Sequence, residues 1–170
     1  MNETVADMMV LEQADGFPFR HIHATGSFGK EWMPKRVKDN GVDYENCPAI
    51  DIREYIYDMP TVLTAADVVI GRAGSATCNE IAASGTPCIL VPSPNVTNNH
   101  QEKNARVLES GGGAVVLLEK DCTAETLYGL IRQLLADETR RAQMSRKLHA
   151  QLRPDSTDRI CAIVEEITGR

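Results

Sequence analysis

The chain lacks a long apolar run, a surplus of positive charge and an even set of cysteines, and each absence narrows what it can be. No segment approaches the ~20 consecutive apolar residues a membrane-spanning helix needs. Lys and Arg number 18 against 24 Asp and Glu, for a formal net charge of −6. A nucleic-acid platform would carry a basic stripe instead, so no nucleic-acid partner is expected. The five cysteines are odd in number and none sit at metal-ligand spacing. They read as reduced thiols in a cytoplasmic protein. There is no Ser-His-Asp signature, no paired-carboxylate motif and no Walker loop. His21 and His23 share one strand face, but a third ligand is lacking, so they read as a satisfied pair and no metal site is expected.

What is present is a chain of 170 residues, 42% hydrophobic and 25% charged, enough for one domain with a real core. Its pattern alternates throughout. Strands are expected at 19–24, 49–52, 67–70, 88–91 and 114–118. Helices are expected around 5–12, 28–38, from Asp58 onward, 75–84, 100–110, 123–136, 138–150 and 157–168. Asp58 stands as an N-cap ahead of Pro60, and Gly85 closes the helix at 75–84. The apolar run DVVI at 67–70 resembles a strand buried on both faces. Strands separated by helices predict an α/β fold with a doubly wound parallel sheet. The first residues run straight into a helical pattern, as a domain taken from a longer chain would. The one long turn-rich stretch, PSPNVTNN at 92–99, follows a strand, where such sheets bind ligands.

Three segments carry candidate chemistry. GRAGSAT at 71–77 follows a strand and opens a helix. Small residues admit a ligand to the backbone, and the helix N-terminus offers free N–H groups and partial positive charge to a phosphate. The competing reading is a tight turn that needs glycine. Glu80 stands where a carboxylate can take both ribose hydroxyls. It also lies three residues after Thr77, the spacing of a capping box, and could merely cap its own helix. NNHQEKN at 98–104 supplies amide donors and acceptors suited to sugar hydroxyls, or else a polar helix start capped by Asn99. Arg72 could meet phosphate or form a structural ion pair.

Taken together, HATG (23–26), YIYDMP (55–60), ADVVIGRAGSATCNEIAASGTPCILVPSP (66–94), NHQEKNA (99–105) and RPDSTDRI (153–160) resemble the MurG family over nearly the whole chain. These peripheral membrane transferases add N-acetylglucosamine to lipid I to make lipid II of peptidoglycan. The resemblance implies a GT-B fold, two Rossmann-like domains facing a cleft, of which 1–170 would be the carboxyl-terminal half, the domain for the donor UDP-N-acetylglucosamine. By position, Ile56 would hold the uracil through its backbone and Thr25 would lie at the nucleotide edge. Ser75, Ala76 and Thr77 would line the diphosphate, Glu80 the ribose, and His100 and Gln101 the sugar. The family has a Gln-Gln pair where this chain has His100 and Gln101, so only Gln101 matches. The catalytic base, the lipid I site and the membrane-docking patch would belong to an amino-terminal domain, on the cytoplasmic face of the bacterial membrane, with no cofactor required. Two other readings share the same local logic: a different GT-B UDP-sugar enzyme, such as a 2-epimerase or glycolipid synthase, and a non-catalytic UDP-sugar-binding subunit. YIYDMP and NHQEKNA favour the MurG-like one.

Overall fold

A computed structural model describes residues 1–152 and 155–169; Arg153 and Pro154, at the head of the RPDSTDRI motif, lie outside them. In chain order the elements are α1 (Asn2–Ala14), β1 (His21–Ala24), α2 (Trp32–Asp39), β2 (Ile50–Arg53), α3 (Met59–Ala65), β3 (Val69–Gly71), α4 (Ser75–Ser84), β4 (Cys88–Leu90), α5 (His100–Ser110), β5 (Ala114–Val116), α6 (Ala124–Ala136), α7 (Glu138–Gln151) and α8 (Ser156–Thr168), with 3-10 turns at Thr97–Asn99 and Glu119–Asp121.

Local chemistry explains most boundaries. Pro60 falls in the first turn of α3, where its missing N–H is no loss, although Asp58 at the N-cap position makes no side-chain cap. α2 starts later than expected because residues 26–30 turn first, with Gly29 and Lys30 N–H both donating to the Gly26 carbonyl. Gly85 closes α4 with φ +69, and a Cβ there would lie 2.2 Å from His149 Nε2. Glycine is therefore required both by conformation and by space. α6 opens on a reciprocal box in which the Thr123 side chain accepts from Thr126 N–H and the Thr126 hydroxyl accepts from Thr123 N–H.

All strand pairs are parallel, but they form two sheets rather than one: β1–β2, and β3–β4–β5. Among the described residues nothing pairs with the second edge of β1 or of β3. The three-residue register of β4 against Val69–Gly71 and Ala114–Val116 also explains why β3 and β5 are shorter than their apolar runs. The DVVI run is only half-buried, because β3 is an edge strand, whereas the central β4 is wholly buried.

Side chains on β4 alternate between two cores. Ile89 joins Met8, Met9 and Val5 of α1, Met33 and Val37 of α2, and Leu127, Ile131 and Leu134 of α6. Cys88 and Leu90 join Ile81 of α4, Ala105 and Leu108 of α5, and Leu148 of α7. Helices therefore cover both faces of this sheet, which is what doubly wound means. α8 buries none of its side chains and exposes Ile160, Ile163, Val164 and Ile167, an apolar stripe at helical spacing. No helix is long and apolar enough to cross a membrane among the described residues.

Candidate functional site

The carboxyl ends of β3 and β4 open into the starts of α4 and α5, which pack against each other. Gly74 is the N-cap of α4, in extended conformation, and no side chain caps that end. The intrahelical ladder begins with Cys78 N–H donating to the Gly74 carbonyl at 2.9 Å. The N–H groups of Ser75, Ala76 and Thr77 precede that bond and have no acceptor within the helix. Ser75 and Ala76 are exposed and Thr77 is half-buried. This is an open helix N-terminus with its dipole pointing outward.

The glycines of the preceding turn are not there for the fold. Neither has positive φ. A Cβ at Gly71 would lie 3.7 Å from Thr77 Cγ2, and one at Gly74 would lie 3.9 Å from Thr77 Oγ1, both ordinary contacts. The reading of a tight turn that needs glycine therefore loses its physical basis.

The same geometry corrects the capping-box reading of Glu80. Thr77 is the third residue of α4, not its N-cap, so the Thr77–Glu80 spacing lies inside the helix. Glu80 is exposed and, among the described residues, makes no side-chain hydrogen bond or ion pair. Arg72, in contrast, is engaged within the chain. Its Nη1 donates to the Val91 carbonyl (3.1 Å) and to Glu119 Oε2 (2.9 Å), and its Nη2 to Glu119 Oε1 (2.7 Å). The guanidinium holds the Glu119 carboxyl below the usual carboxylate range. Of the two readings of Arg72, the structural ion pair is the one observed.

Ahead of α5, Asn98 and Asn99 both take left-handed conformations, φ 55 and 51. Asn99 occupies the N-cap position of α5, yet its side chain donates to Glu102 Oε2 at 2.6 Å instead of accepting a backbone N–H. His100 is exposed, and its Nδ1 sits 2.9 Å from the Thr97 carbonyl. A carbonyl only accepts, so Nδ1 carries the proton and Nε2 is left over. Gln101 Oε1 accepts from Ser93 N–H at 2.9 Å, tying α5 to the loop after β4 and leaving the Nε2 donors. Asn104 Nδ2 donates to the Ala73 carbonyl at 3.1 Å. The roles of Gln101 toward Ser93 and of Asn104 toward Ala73 are invisible in the sequence, although both residues sit in the NHQEKNA motif.

Thr25 and Ile56 form a separate group at the ends of β1 and β2. Both are buried, and Thr25 N–H and Gly26 N–H donate to the carbonyls of Arg53 (2.8 Å) and Glu54 (3.0 Å). Ile56 lies between exposed Tyr55 and Tyr57, whose rings meet edge-on with centroids 5.0 Å apart. Thr25 also borders a cleft of about 350 Å³ with Lys30, Glu31, Pro34, Ile52, Arg53 and Glu54. No hydrogen bond among the described residues joins this group to the helix starts of α4 and α5.

The histidines of β1 are structural. His21 Nδ1 lies 2.9 Å from Glu12 Oε1, His23 Nε2 lies 3.2 Å from Asn2 Oδ1, and the rings meet edge-on. Burial, followed by the charge of His21 and of the amino terminus, pushes His23 down to about 4. Burial likewise pushes the Cys88 thiol up to about 12, so it is an inert core group. Among the described residues no cluster of three or more His, Cys, Asp or Glu could hold a metal ion.

Residues 1–160 match the model of the glycosyltransferase family 28 C-terminal domain. The chain belongs to this family. Among curated relatives, it is 39% identical over 167 residues to the UDP-N-acetylglucosamine–N-acetylmuramyl-(pentapeptide) pyrophosphoryl-undecaprenol N-acetylglucosamine transferase of Acetivibrio thermocellus, covering 98% of this chain and 44% of the relative. It is 39% identical over 149 residues to the transferase of the same name from Desulforamulus reducens, covering 88% of this chain and 40% of the relative. Among solved structures, MurG of Acinetobacter baumannii superposes with a TM-score of 0.80 at 24% identity, over 97% of this chain and 45% of that one. The family 28 domain thus spans less than half the length of the relatives it matches. These findings bear out the resemblance to the carboxyl-terminal half of MurG, and the fold is that half of a GT-B glycosyltransferase.

Proposed function

We propose that residues 1–170 form a single donor-binding domain that holds UDP-N-acetylglucosamine for an inverting transfer of N-acetylglucosamine to lipid I. The observation that carries this reading is the open N-terminus of α4, reached through glycines that the fold does not need. In this proposal the N–H groups of Ser75, Ala76 and Thr77 take the diphosphate, and Glu80 takes the ribose hydroxyls. Gln101 and the free Nε2 of His100 face the sugar. Thr25 and the backbone of Ile56 take the uracil. The names of the relatives support the choice of sugar and acceptor.

The mechanism follows from where charge develops. As the acceptor hydroxyl attacks the anomeric carbon, the bond to the diphosphate breaks and negative charge grows on the leaving UDP. Fixed N–H dipoles aimed at that charge need no reorganisation during the step, which is the largest catalytic contribution a protein surface of this kind can make. The domain offers groups for the donor alone. The base, the lipid I site and contact with the cytoplasmic face of the membrane are assigned to an amino-terminal domain of the full-length enzyme.

Calorimetry with UDP and ADP tests the donor claim: UDP should bind more tightly, and equal affinities would sink the uracil site. Radiolabel transfer from UDP-N-acetylglucosamine to a lipid I analogue tests the division of labour. The 170 residues alone should not turn over, and activity should appear on adding a separately expressed amino-terminal half from a full-length relative. Turnover by the isolated chain would place the base within it.

A further inference from the structure

The N–H groups assigned to the diphosphate can work only if the turn that presents them is held still. Its two central residues are each tied to the rest of the chain, Arg72 through its own side chain and Ala73 through its backbone. At residue 72 the grip is the Arg72 guanidinium on the Val91 carbonyl and Glu119. At residue 73 it is Asn104, whose Nδ2 donates to the Ala73 carbonyl at 3.1 Å across a separation of 31 residues. Ala73 is wholly buried and Asn104 half-buried, so solvent does not compete freely for this bond.

The peptide unit is planar. Fixing the Ala73 carbonyl therefore fixes the Gly74 nitrogen, and Gly74 is the N-cap from which the Ser75, Ala76 and Thr77 N–H groups project. On α5, Asn104 lies three residues after Gln101, so the two share a helix face. Gln101 grips Ser93 in the loop after β4 while Asn104 grips the turn after β3. One helix face thereby sets the relative position of the diphosphate turn and the loop that borders it.

We propose that Asn104 is a positioning residue for the diphosphate. It touches no part of the donor and acts by pre-orienting the N-terminus of α4, so that binding does not have to order it. This inference rests on the assignment of the diphosphate to that helix end. The rival reading is that Asn104 merely satisfies a buried carbonyl and contributes to folding alone.

The two are separated by comparing UDP with uridine, which lacks the phosphates. Asn104→Ala should weaken UDP binding about tenfold and leave uridine binding within about twofold, since the uracil group at Thr25 and Ile56 is not connected to it and Glu80, which takes the ribose, lies beyond the first turn of α4, where the helix's own hydrogen bonds hold it. Leu108→Ala is the control: Leu108 is buried on α5, one turn beyond Asn104, and packs in the apolar core that also holds Ala73, but it makes no hydrogen bond to the turn. It should lower the melting temperature without separating UDP from uridine. If Asn104→Ala does not fold, Asn104→Ser, whose hydroxyl is too short to reach the carbonyl, is read in its place. Equal losses for UDP and uridine, no loss for either, or the same separation in Leu108→Ala would overturn the positioning role. Wild-type protein that binds UDP no better than uridine would remove the diphosphate assignment itself, a failure visible before any variant is made.

Discussion

Gly74→Ala separates a glycine kept for the fold from one kept for a ligand, because the structure makes the folding cost small. Gly74 has φ −65 and ψ 152, a conformation alanine adopts freely, and the new Cβ would meet Thr77 Oγ1 at 3.9 Å. Replacing a glycine at such a position stabilises by about 0.4–1 kcal/mol through the unfolded chain. Alanine is a poorer N-cap than glycine, and that loss is of similar size, about 0.5–1 kcal/mol. The two oppose, so the melting temperature should move by no more than ~2 °C in a chain of this size. The added methyl would nonetheless stand beside the Ser75, Ala76 and Thr77 N–H groups. Losing a single hydrogen bond to a charged phosphate amounts to about 1.5–3 kcal/mol, or roughly 10- to 150-fold in affinity. Thermal melting and UDP calorimetry on the same preparation read both quantities. Unchanged UDP affinity with unchanged melting would refute the idea that this backbone is bare for a ligand. A fall of many degrees would show that the turn needs glycine after all.

Glu80→Gln should weaken UDP binding by about 1.5–3 kcal/mol while leaving melting nearly unchanged, because Glu80 caps nothing; a drop in melting with retained affinity would reverse its assignment. Stability should fall in acid for a reason located at His23, whose ring is held near 4 in the folded chain against 6.5 when unfolded. Above pH 6.5 neither state is charged and the group contributes no pH dependence. Below it the unfolded chain takes up the proton first, so stability declines by about 1.4 kcal/mol per pH unit, reaching about 3 kcal/mol near pH 4. Replacing it (His23→Asn) should remove that part of the slope in urea unfolding at pH 7, 5.5 and 4.5; an unchanged slope would mean that His23 is protonated in the fold.

The parts of the fold that were legible in the sequence are those written in local chemistry. α4 and α5 begin and end where expected, at Ser75–Ser84 and His100–Ser110, because Gly85 and the glycines from 111 punctuate them. What was not legible depends on partners distant in the chain. The division of the strands into two sheets, and hence the half-exposure of β3, comes from which strand lies beside which, and no window of sequence records that. Spacing also misled inside a helix whose start was read correctly. Thr77 and Glu80 have the capping-box spacing but sit inside α4, while the reciprocal box that does exist, Thr123 with Thr126, carries threonine where the pattern expects Glu or Gln. Among site residues, the open N–H groups at 75–77 followed from a strand, a glycine turn and a helix. The grips of Arg72 on Glu119 and Asn104 on Ala73 span 47 and 31 residues and needed coordinates to be seen.

The most direct test of the donor site is amide chemical-shift mapping of the 15N-labelled chain during titration with UDP-N-acetylglucosamine. The account predicts that the largest shifts fall on Ser75, Ala76 and Thr77, with further shifts at Thr25, Ile56, Glu80 and Gln101, and that uridine, which keeps the ribose but lacks the phosphates, moves Thr25, Ile56, Glu80 and their neighbours and leaves Ser75 and Ala76 in place. Saturable shifts that leave the amides of Ser75, Ala76 and Thr77 unmoved, or that centre on another face of the domain, would contradict it.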